Sequence, residues 1–249
     1  MTEKIDKYKV QAALVRSFFD AFSHGVIESQ VEDRNEKTTP QSVKKLMLEH
    51  YEHIAPAFFD TMFFPLAAMN YKYEEIAALA REAQQRGDDM MALVRTACGD
   101  EAYYNAMVEE YKRNFSMLLA GRHLSNADHL EGYVRNAEET EASVDSDRAI
   151  ELTVRVVMFA YVRGLRQTGE SARFDRSAHL GQVHPLRGAT LFRLMLDAMN
   201  ILLLDKAVDF ADAEAADLAS LFLKVCQTQH NFTVMTDEMD RTYSELMKE

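Results

Sequence analysis

Residues 212–248, near the end of the chain, contain no Gly and no Pro, and their apolar side chains recur at alternating steps of three and four. This spacing is the heptad pattern of a helix that packs lengthwise against other helices. It predicts one helix of about 36 residues, which would be about 54 Å long. The stripe consists of Leu218, Phe222, Val225, Gln229, Phe232, Thr236, Met239, Tyr243 and Leu246.

The first helix is also predicted to be long, because a second heptad pattern runs through residues 3–30. The whole chain of 249 residues holds only 9 Gly and 4 Pro, and no stretch alternates apolar and polar residues as a half-buried strand does. The sequence therefore predicts an all-α, multi-helix bundle of about nine or ten helices, with long first and last helices and no sheet. No fixed-period repeat is visible, so a solenoid is not expected.

We expect a single helical domain over residues 1–249. A polar stretch at residues 32–39 follows the first helix, so residues 1–31 could form a semi-independent N-terminal helix. The two terminal helices either pack inside one bundle or pair as a coiled coil with a second subunit. Gln229 and Thr236 lie on the last stripe, where polar residues often fix register or oligomeric state, so a homodimer remains one of the two expectations.

Charge and cysteine content limit the function classes. The formal net charge is −12, whereas a nucleic-acid-binding protein needs a basic face. Cys98 and Cys226 are far apart and form no CxxC pair, so we interpret both as small core residues of a protein in a reducing compartment. The first ten residues lack the apolar segment of a signal peptide. We therefore expect a cytoplasmic, acidic protein without direct contact to nucleic acid or a membrane.

Arginine is concentrated in one region. Residues 148–193 contain eight Arg, no Lys and three acidic residues, a local charge of +5 in an acidic protein. Arg side chains are well suited to hold carboxylates or phosphates through two parallel hydrogen bonds. The region therefore predicts an anion-binding or partner-binding site, whose candidate residues are Arg148, Arg155, Arg163, Arg166, Arg173, Arg176, His184 and Arg187.

A structural alternative explains the same arginines. The helix that carries them is apolar on nearly all sides, so its arginines are expected to be partly buried and to need anionic partners. Those partners could be internal carboxylates, such as those of the acidic segments 138–147 and 205–217.

The segment His184-Pro-Leu-Arg187, which opens an apolar helix, resembles the start of a late helix in 14-3-3 proteins. Members of that family are all-helical, acidic and of similar size, and they hold phosphopeptides with arginines. The likeness covers four residues and these gross properties. Arg193 stands where the family has an asparagine, and the family's earlier Arg-Tyr pair has no counterpart. The resemblance therefore implies a phosphopeptide-binding class of protein without assigning any site residue.

No catalytic or cofactor motif is present, and no cofactor is expected. We therefore predict a non-enzymatic interaction or regulatory protein. One alternative is a protein that binds a small apolar ligand in a Phe- and Met-rich interior at residues 58–69, or a metal at His50 and His53, which share a helix face. Another alternative is a viral or phage protein that binds host factors, with its negative charge mimicking nucleic acid.

Overall fold

The computed structural model describes residues 3–30, 40–49, 51–120, 142–166, 185–204 and 218–246. Within these residues ten helices and one small sheet are present, so the predicted all-α bundle is confirmed. The elements in chain order are β1 (Lys4–Asp6), α1 (Lys7–Gln30), α2 (Pro40–Glu49), α3 (Tyr51–Asn70), α4 (Tyr73–Arg86), α5 (Met90–Ala97), α6 (Glu101–Leu119), β2 (Ser143–Asp145), α7 (Ser146–Arg166), α8 (Pro185–Leu203), α9 (Leu218–Cys226) and α10 (Gln229–Leu246).

The sheet consists of two three-residue strands, each of which leads directly into a long helix. β1 and β2 run antiparallel, with Ile5 opposite Val144. The prediction that the chain has no sheet was wrong, because three residues are too few for an alternating pattern to be recognised. Two further backbone hydrogen bonds connect the first residue of each helix to the residue that precedes the opposite strand. Lys7 N–H donates to the Ala142 carbonyl at 3.2 Å, and Ser146 N–H donates to the Glu3 carbonyl at 2.8 Å.

The helices that follow the strands, α1 and α7, form the centre of the molecule. Residues 10–23 of α1 are all buried, and α7 is buried over most of its length. A helix that is buried on all sides must be surrounded by other helices. α3 and α10 pack against α7, while α6 and α8 pack against α1. The core therefore lies around the α1–α7 pair rather than beside it.

The two central helices touch through their backbones at one pair of glycines. A Cβ atom added at Gly25 would lie 2.2 Å from the Tyr161 carbonyl oxygen, and one added at Gly164 would lie 2.2 Å from the Phe22 carbonyl oxygen. These distances are far shorter than a van der Waals contact, so no other residue type fits at either position without separating the helices. The contact is reciprocal, because each glycine meets the corresponding turn of the other helix.

This reciprocity extends to the whole architecture, which repeats one plan twice. Ile5 and Val144, which face each other in the sheet, are 139 positions apart, and so are Gly25 and Gly164. Each half is a strand, a central helix and outer helices, related by an approximate twofold axis. The two halves exchange helices across this axis, since α3 of the first half packs on α7 and α8 of the second half packs on α1.

The outer helices repeat at a different spacing of 128 positions, which relates α5 and α6 to α9 and α10. The segment between the strands and the outer helices differs in length in the two halves, so no single period exists, and for this reason the sequence analysis predicted no repeat. The buried residues agree position by position: Tyr103, Met107, Glu110, Asn114 and Leu118 on α6 match Asn231, Met235, Glu238, Thr242 and Leu246 on α10.

The continuous C-terminal helix predicted from the heptad pattern was wrong, because the helix is broken between α9 and α10. Gln227 adopts a left-handed conformation with φ of 65°, and Gly99 with φ of 81° occupies the matching place in the first half. The Thr228 hydroxyl then accepts a hydrogen bond from the Asn231 N–H and caps α10. A side-chain hydrogen bond from Gln227 to the Leu203 carbonyl stabilises the turn.

Residues from both parts of the predicted C-terminal stripe are buried within the chain. Phe222 and Val225 on α9 and Leu246 on α10 belong to the hydrophobic core. The oligomeric state of the protein stays a prediction. None of the helices in the described part of the chain combines the length and the apolar character needed to cross a membrane.

The glycine contact can be tested by substitution. In an isolated helix, Gly→Ala is stabilising by roughly 1 kcal/mol. We expect Gly25→Ala and Gly164→Ala instead to lower the free energy of unfolding by about 2–3 kcal/mol, because the added methyl group meets backbone atoms that cannot rotate away. Denaturant unfolding measures the effect. The exposed helical substitution Ser244→Ala serves as the control and should change stability by less than about 0.5 kcal/mol. Wild-type stability in either glycine variant would contradict the close crossing.

Candidate functional site

The predicted arginine site falls on α7, and its described members are paired within the chain. Arg148 binds Glu151 at 3.2 Å, and Arg163 binds Asp60 on α3. Arg166 is also engaged in an interaction. Arg173, Arg176 and His184 lie outside the described residues, as does the side chain of Arg187 on α8.

Arg155 is the most elaborately held of these arginines. Its Nη1 donates to Glu238 at 3.1 Å and its Nη2 donates to Glu245 at 2.6 Å, both on α10. Its guanidinium also lies over the rings of Phe64 and Phe159, 5.4 and 5.7 Å from their centroids. Burial by itself lowers the pKa of Arg155, but the hydrogen bonds to Glu245 and Glu238 outweigh it, so the pKa is raised. The side chain is therefore a fixed positive charge.

Glu238 is a buried carboxylate with three donors. Its side chain is 2% exposed, and besides Arg155 it accepts hydrogen bonds from Arg241 at 2.5 Å and from the Thr242 hydroxyl at 3.1 Å. A buried carboxylate is stable only when such donors compensate for lost hydration. For Arg148, Arg155 and Arg163 the internal carboxylates lie on α7, α10 and α3 rather than in segments 138–147 and 205–217, which fall largely outside the described residues.

A cavity of about 140 Å³ lies between α3 and α7 beside Arg155. Phe64 and Phe159 give it apolar walls, and Arg155 and Arg163 give it two guanidinium groups. We call this cavity the arginine pocket; the residues that matter for its chemistry are Asp60, Thr61, Phe64, Arg155, Phe159 and Arg163.

Two donors of the arginine pocket have no partner in the described part of the chain. Thr61 is only 7% exposed, yet its hydroxyl makes no hydrogen bond there. The Nε–H of Arg155 makes none there either, because the hydrogen bonds of this side chain all come from its Nη atoms. A buried hydroxyl without a partner costs free energy. The pocket therefore offers hydrogen bonds that an acceptor from outside the chain could take.

The other predicted sites do not form a comparable centre. His53 is exposed on α3, and His50 lies outside the described residues. Within the described ranges, no group of three or more His, Cys, Asp or Glu side chains could hold a metal ion. The Phe- and Met-rich face of α3 is mainly core, because Phe58, Met62 and Leu66 are fully buried in the main cluster.

Comparison of the chain with protein-family models, with curated proteins and with solved structures gave no match.

Sequence reasoning identified the two arginines of the pocket and missed the residues that face them. Arg155 and Arg163 stood out because a run of arginines without lysine is unusual. Asp60 and Thr61 lie on a helix about a hundred residues earlier, in a segment whose pattern indicates only a core face. Phe159 lies on a helix whose sequence is apolar on nearly all sides, so nothing distinguishes it from the other apolar residues there. No local signal marks a threonine whose hydroxyl lacks a partner, since this depends on packing between helices.

The network around Glu238 leads to a prediction about stability. Glu238→Ala leaves Arg155 and Arg241 without a buried acceptor, so we expect the free energy of unfolding to fall by about 2–3 kcal/mol. Glu245→Ala removes a partner of the same arginine, but Glu245 is 42% exposed, and the loss should stay below about 1 kcal/mol. Denaturant unfolding of both variants measures the difference. Equal losses would show that burial of Glu238 is unimportant.

The two cysteines lead to a prediction about reactivity. Both are fully buried, and burial raises the pKa of Cys98 to about 12 and that of Cys226 to about 11. Because the thiolate is the reactive form, neither should react with Ellman's reagent at about pH 8 until denaturant is added. The raised pKa values also make the free energy of unfolding depend on pH. The contribution of the two buried thiols is fully present below about pH 8.5, the pKa of an unfolded thiol, and decreases as the pH rises further. Rapid labelling of the native protein would contradict this expectation.

Proposed function

We propose that this protein is a non-enzymatic binding protein that holds an anionic group of its partner in the arginine pocket. The observation that carries the proposal is the coincidence, in one small cavity, of two guanidinium groups and a buried threonine hydroxyl without a partner. Arg is the residue best suited to hold an anion that is partly removed from water. The aromatic walls exclude water and strengthen such contacts by lowering the local dielectric constant.

The charges around the arginine pocket shape how such a group would bind. Three cations are balanced by three carboxylates: Arg155, Arg163 and Arg241 against Asp60, Glu238 and Glu245. An incoming anion therefore meets no net positive field and has to compete for a donor. Glu238 is buried, whereas Asp60 and Glu245 are 43% and 42% exposed and can turn into solvent. Of these two, Asp60 lines the pocket and is therefore the replaceable carboxylate. The partner would take the place of Asp60 on Arg163 and bind the free Nε–H of Arg155.

The apolar-ligand alternative has less support. A binding site in the interior of α3 would need space among Phe58, Met62 and Leu66, but these side chains are fully buried and packed against one another and against α1. Phe64, at the edge of the same face, lines the arginine pocket instead. The apolar face therefore contributes a wall to a polar site.

The proposal can be tested by nuclear magnetic resonance on the arginine Nε–H signals. We expect sodium benzoate or inorganic phosphate, titrated at constant ionic strength, to move the signals of Arg155 and Arg163 in the wild-type protein. Thr61→Val removes the unpartnered hydroxyl, so it should stabilise the free protein by about 1 kcal/mol and weaken anion binding several-fold. Asp60→Asn removes the competing carboxylate and should tighten binding.

The first half of the molecule supplies a matched control. Ser17 is 2% exposed, and its hydroxyl also lacks a partner in the described residues, but it lies on α1 away from the arginine pocket. Ser17→Ala should stabilise the protein as Thr61→Val does, while leaving anion binding unchanged. The proposed function would be wrong if neither anion moved the two signals at concentrations up to about 50 mM, which would saturate a site with a Kd in the low millimolar range.

A further inference from the structure

The arginine at the centre of each half has different hydrogen-bond partners. Arg16 and Arg155 are each the tenth residue of the helix that follows a strand, and the 139-position spacing relates them. Each sends an Nη group to an outer helix. Arg16 Nη1 donates to Asn114 on α6 at 3.5 Å, and Arg155 Nη1 donates to Glu238 on α10. The acceptors themselves are not equivalent, because Glu238 matches Glu110 and Asn114 matches Thr242, but the two arginines can be compared directly.

The Nε–H of the arginine is where the halves differ. In α1 it donates to the Asp20 carboxylate, four residues later, at 3.0 Å, and the side chains of Arg16 and Asp20 are only 4% and 11% exposed. In α7 the matching residue is Phe159, which offers no acceptor, and the Nε–H of Arg155 has no partner in the described residues. The first half thus holds its own carboxylate at a place that the second half leaves without one.

Two further substitutions distinguish the surroundings of Arg155. Arg163 takes the place of His24 of α1, and at the 130-position spacing that relates α3 to α8, Thr61 takes the place of Leu191. That spacing is visible in the shared Leu-x-Ala-Met-Asn segments at 66–70 and 196–200. Compared with Arg16, Arg155 has lost the carboxylate on its own helix and gained a neighbouring cation and a hydroxyl. Asp60 and Glu245 are added carboxylates, but they pair with Arg163 and with the Nη groups of Arg155.

We propose that the group bound by the arginine pocket is a carboxylate with an apolar substituent, held as Asp20 is held in the first half. This inference rests on the proposed function and specifies its ligand. Asp20 shows that a carboxylate satisfies an arginine in this setting. The charges of the pocket are already balanced, so a monoanion fits better than a phosphate group, which carries about −1.5 to −2 at pH 7. The rings of Phe64 and Phe159 suit an apolar substituent.

The carboxylate could belong to a free organic acid or to an acidic side chain of a protein. Both sources present the same group to Arg155 and Arg163, so the experiment includes a probe for each. Sodium benzoate and sodium acetate represent the free acids. A short capped peptide with one glutamate represents the protein side chain, and the same peptide with glutamine is its control. Inorganic phosphate represents the competing chemistry.

The first arm of the test compares these probes on the wild-type protein through the Nε–H signal of Arg155. We expect benzoate to bind at least tenfold more tightly than phosphate, and acetate to bind more weakly than benzoate because it lacks the ring. The glutamate peptide should bind more tightly than the glutamine peptide. Affinity for the glutamate peptide above that for benzoate would assign a protein side chain as the source, and the reverse order would assign a free acid.

The second arm rebuilds the first half's arrangement in the second. Phe159→Asp places a carboxylate four residues after Arg155, as Asp20 is placed after Arg16. It should move the Arg155 Nε–H signal without any ligand and reduce benzoate affinity at least tenfold. Phe159→Asn has the same shape without the charge, so it accounts for the loss of the aromatic wall. It should reduce benzoate affinity clearly less than Phe159→Asp does.

The outcomes separate this inference from the proposed function. If phosphate binds in the pocket and the carboxylates do not, the carboxylate inference is overturned and anion binding stands. If no probe binds, both are overturned. Equal benzoate affinity in Phe159→Asp and Phe159→Asn would also overturn the inference, because an internal carboxylate would then not occupy the ligand's place. The wild-type titration decides the matter even if the substituted proteins fold poorly.

Discussion

The backbone contact between α1 and α7 at Gly25 and Gly164 is the constraint on which the rest of the structure depends. It brings the two central helices together without intervening side chains, and the β1–β2 pairing joins the same helices at their first residues. Because the two helices are fixed to each other near both ends, the apolar faces that remain for the outer helices to bury are also fixed. The outer helices occupy those faces in two equivalent arrangements, which produces the approximate twofold symmetry.

The central pair also explains why buried arginines are needed in an acidic protein. α1 and α7 are surrounded on all sides, so the tenth residue of each lies deep in the molecule at the contact with an outer helix. A charge in that position requires partners, which include Asp20 of the same helix and Asn114 of α6 for Arg16, and Glu238 and Glu245 of α10 for Arg155. Glu110 and Glu238 correspond, each bound by an arginine three residues later. The ion pairs of Arg155 thereby join α10 to α7.

Sequence reasoning predicted the class of fold because heptad spacing and the low number of Gly and Pro report directly on helices. It failed where tertiary contacts override local pattern. Gln227 breaks the last helix although glutamine is a good helix former, since its side chain donates a hydrogen bond to the Leu203 carbonyl of α8 and so stabilises the turn. The residues Arg155 and Arg163 could be nominated from composition. Thr61 and Phe159 could not, because their importance follows from comparing the two halves, and which residues correspond is established by their three-dimensional contacts.

A repeated architecture makes differences between its halves informative. The buried positions of α6 and α10 agree so closely that each substitution between the halves can be judged against a structural equivalent. Where Asp20 is replaced by Phe159, the chain loses a compensating carboxylate beside an arginine, a change that would ordinarily be destabilising. The second half compensates in part by moving the guanidinium onto Glu245, an exposed residue of α10, and over two aromatic rings. After this change the Nε–H of Arg155 has no acceptor in the described part of the chain. In the first half the Arg16 Nε–H is paired with Asp20, whereas in the second half the Arg155 Nε–H has no acceptor among the described residues. This difference is expected if the first arginine serves stability and the second serves the proposed binding.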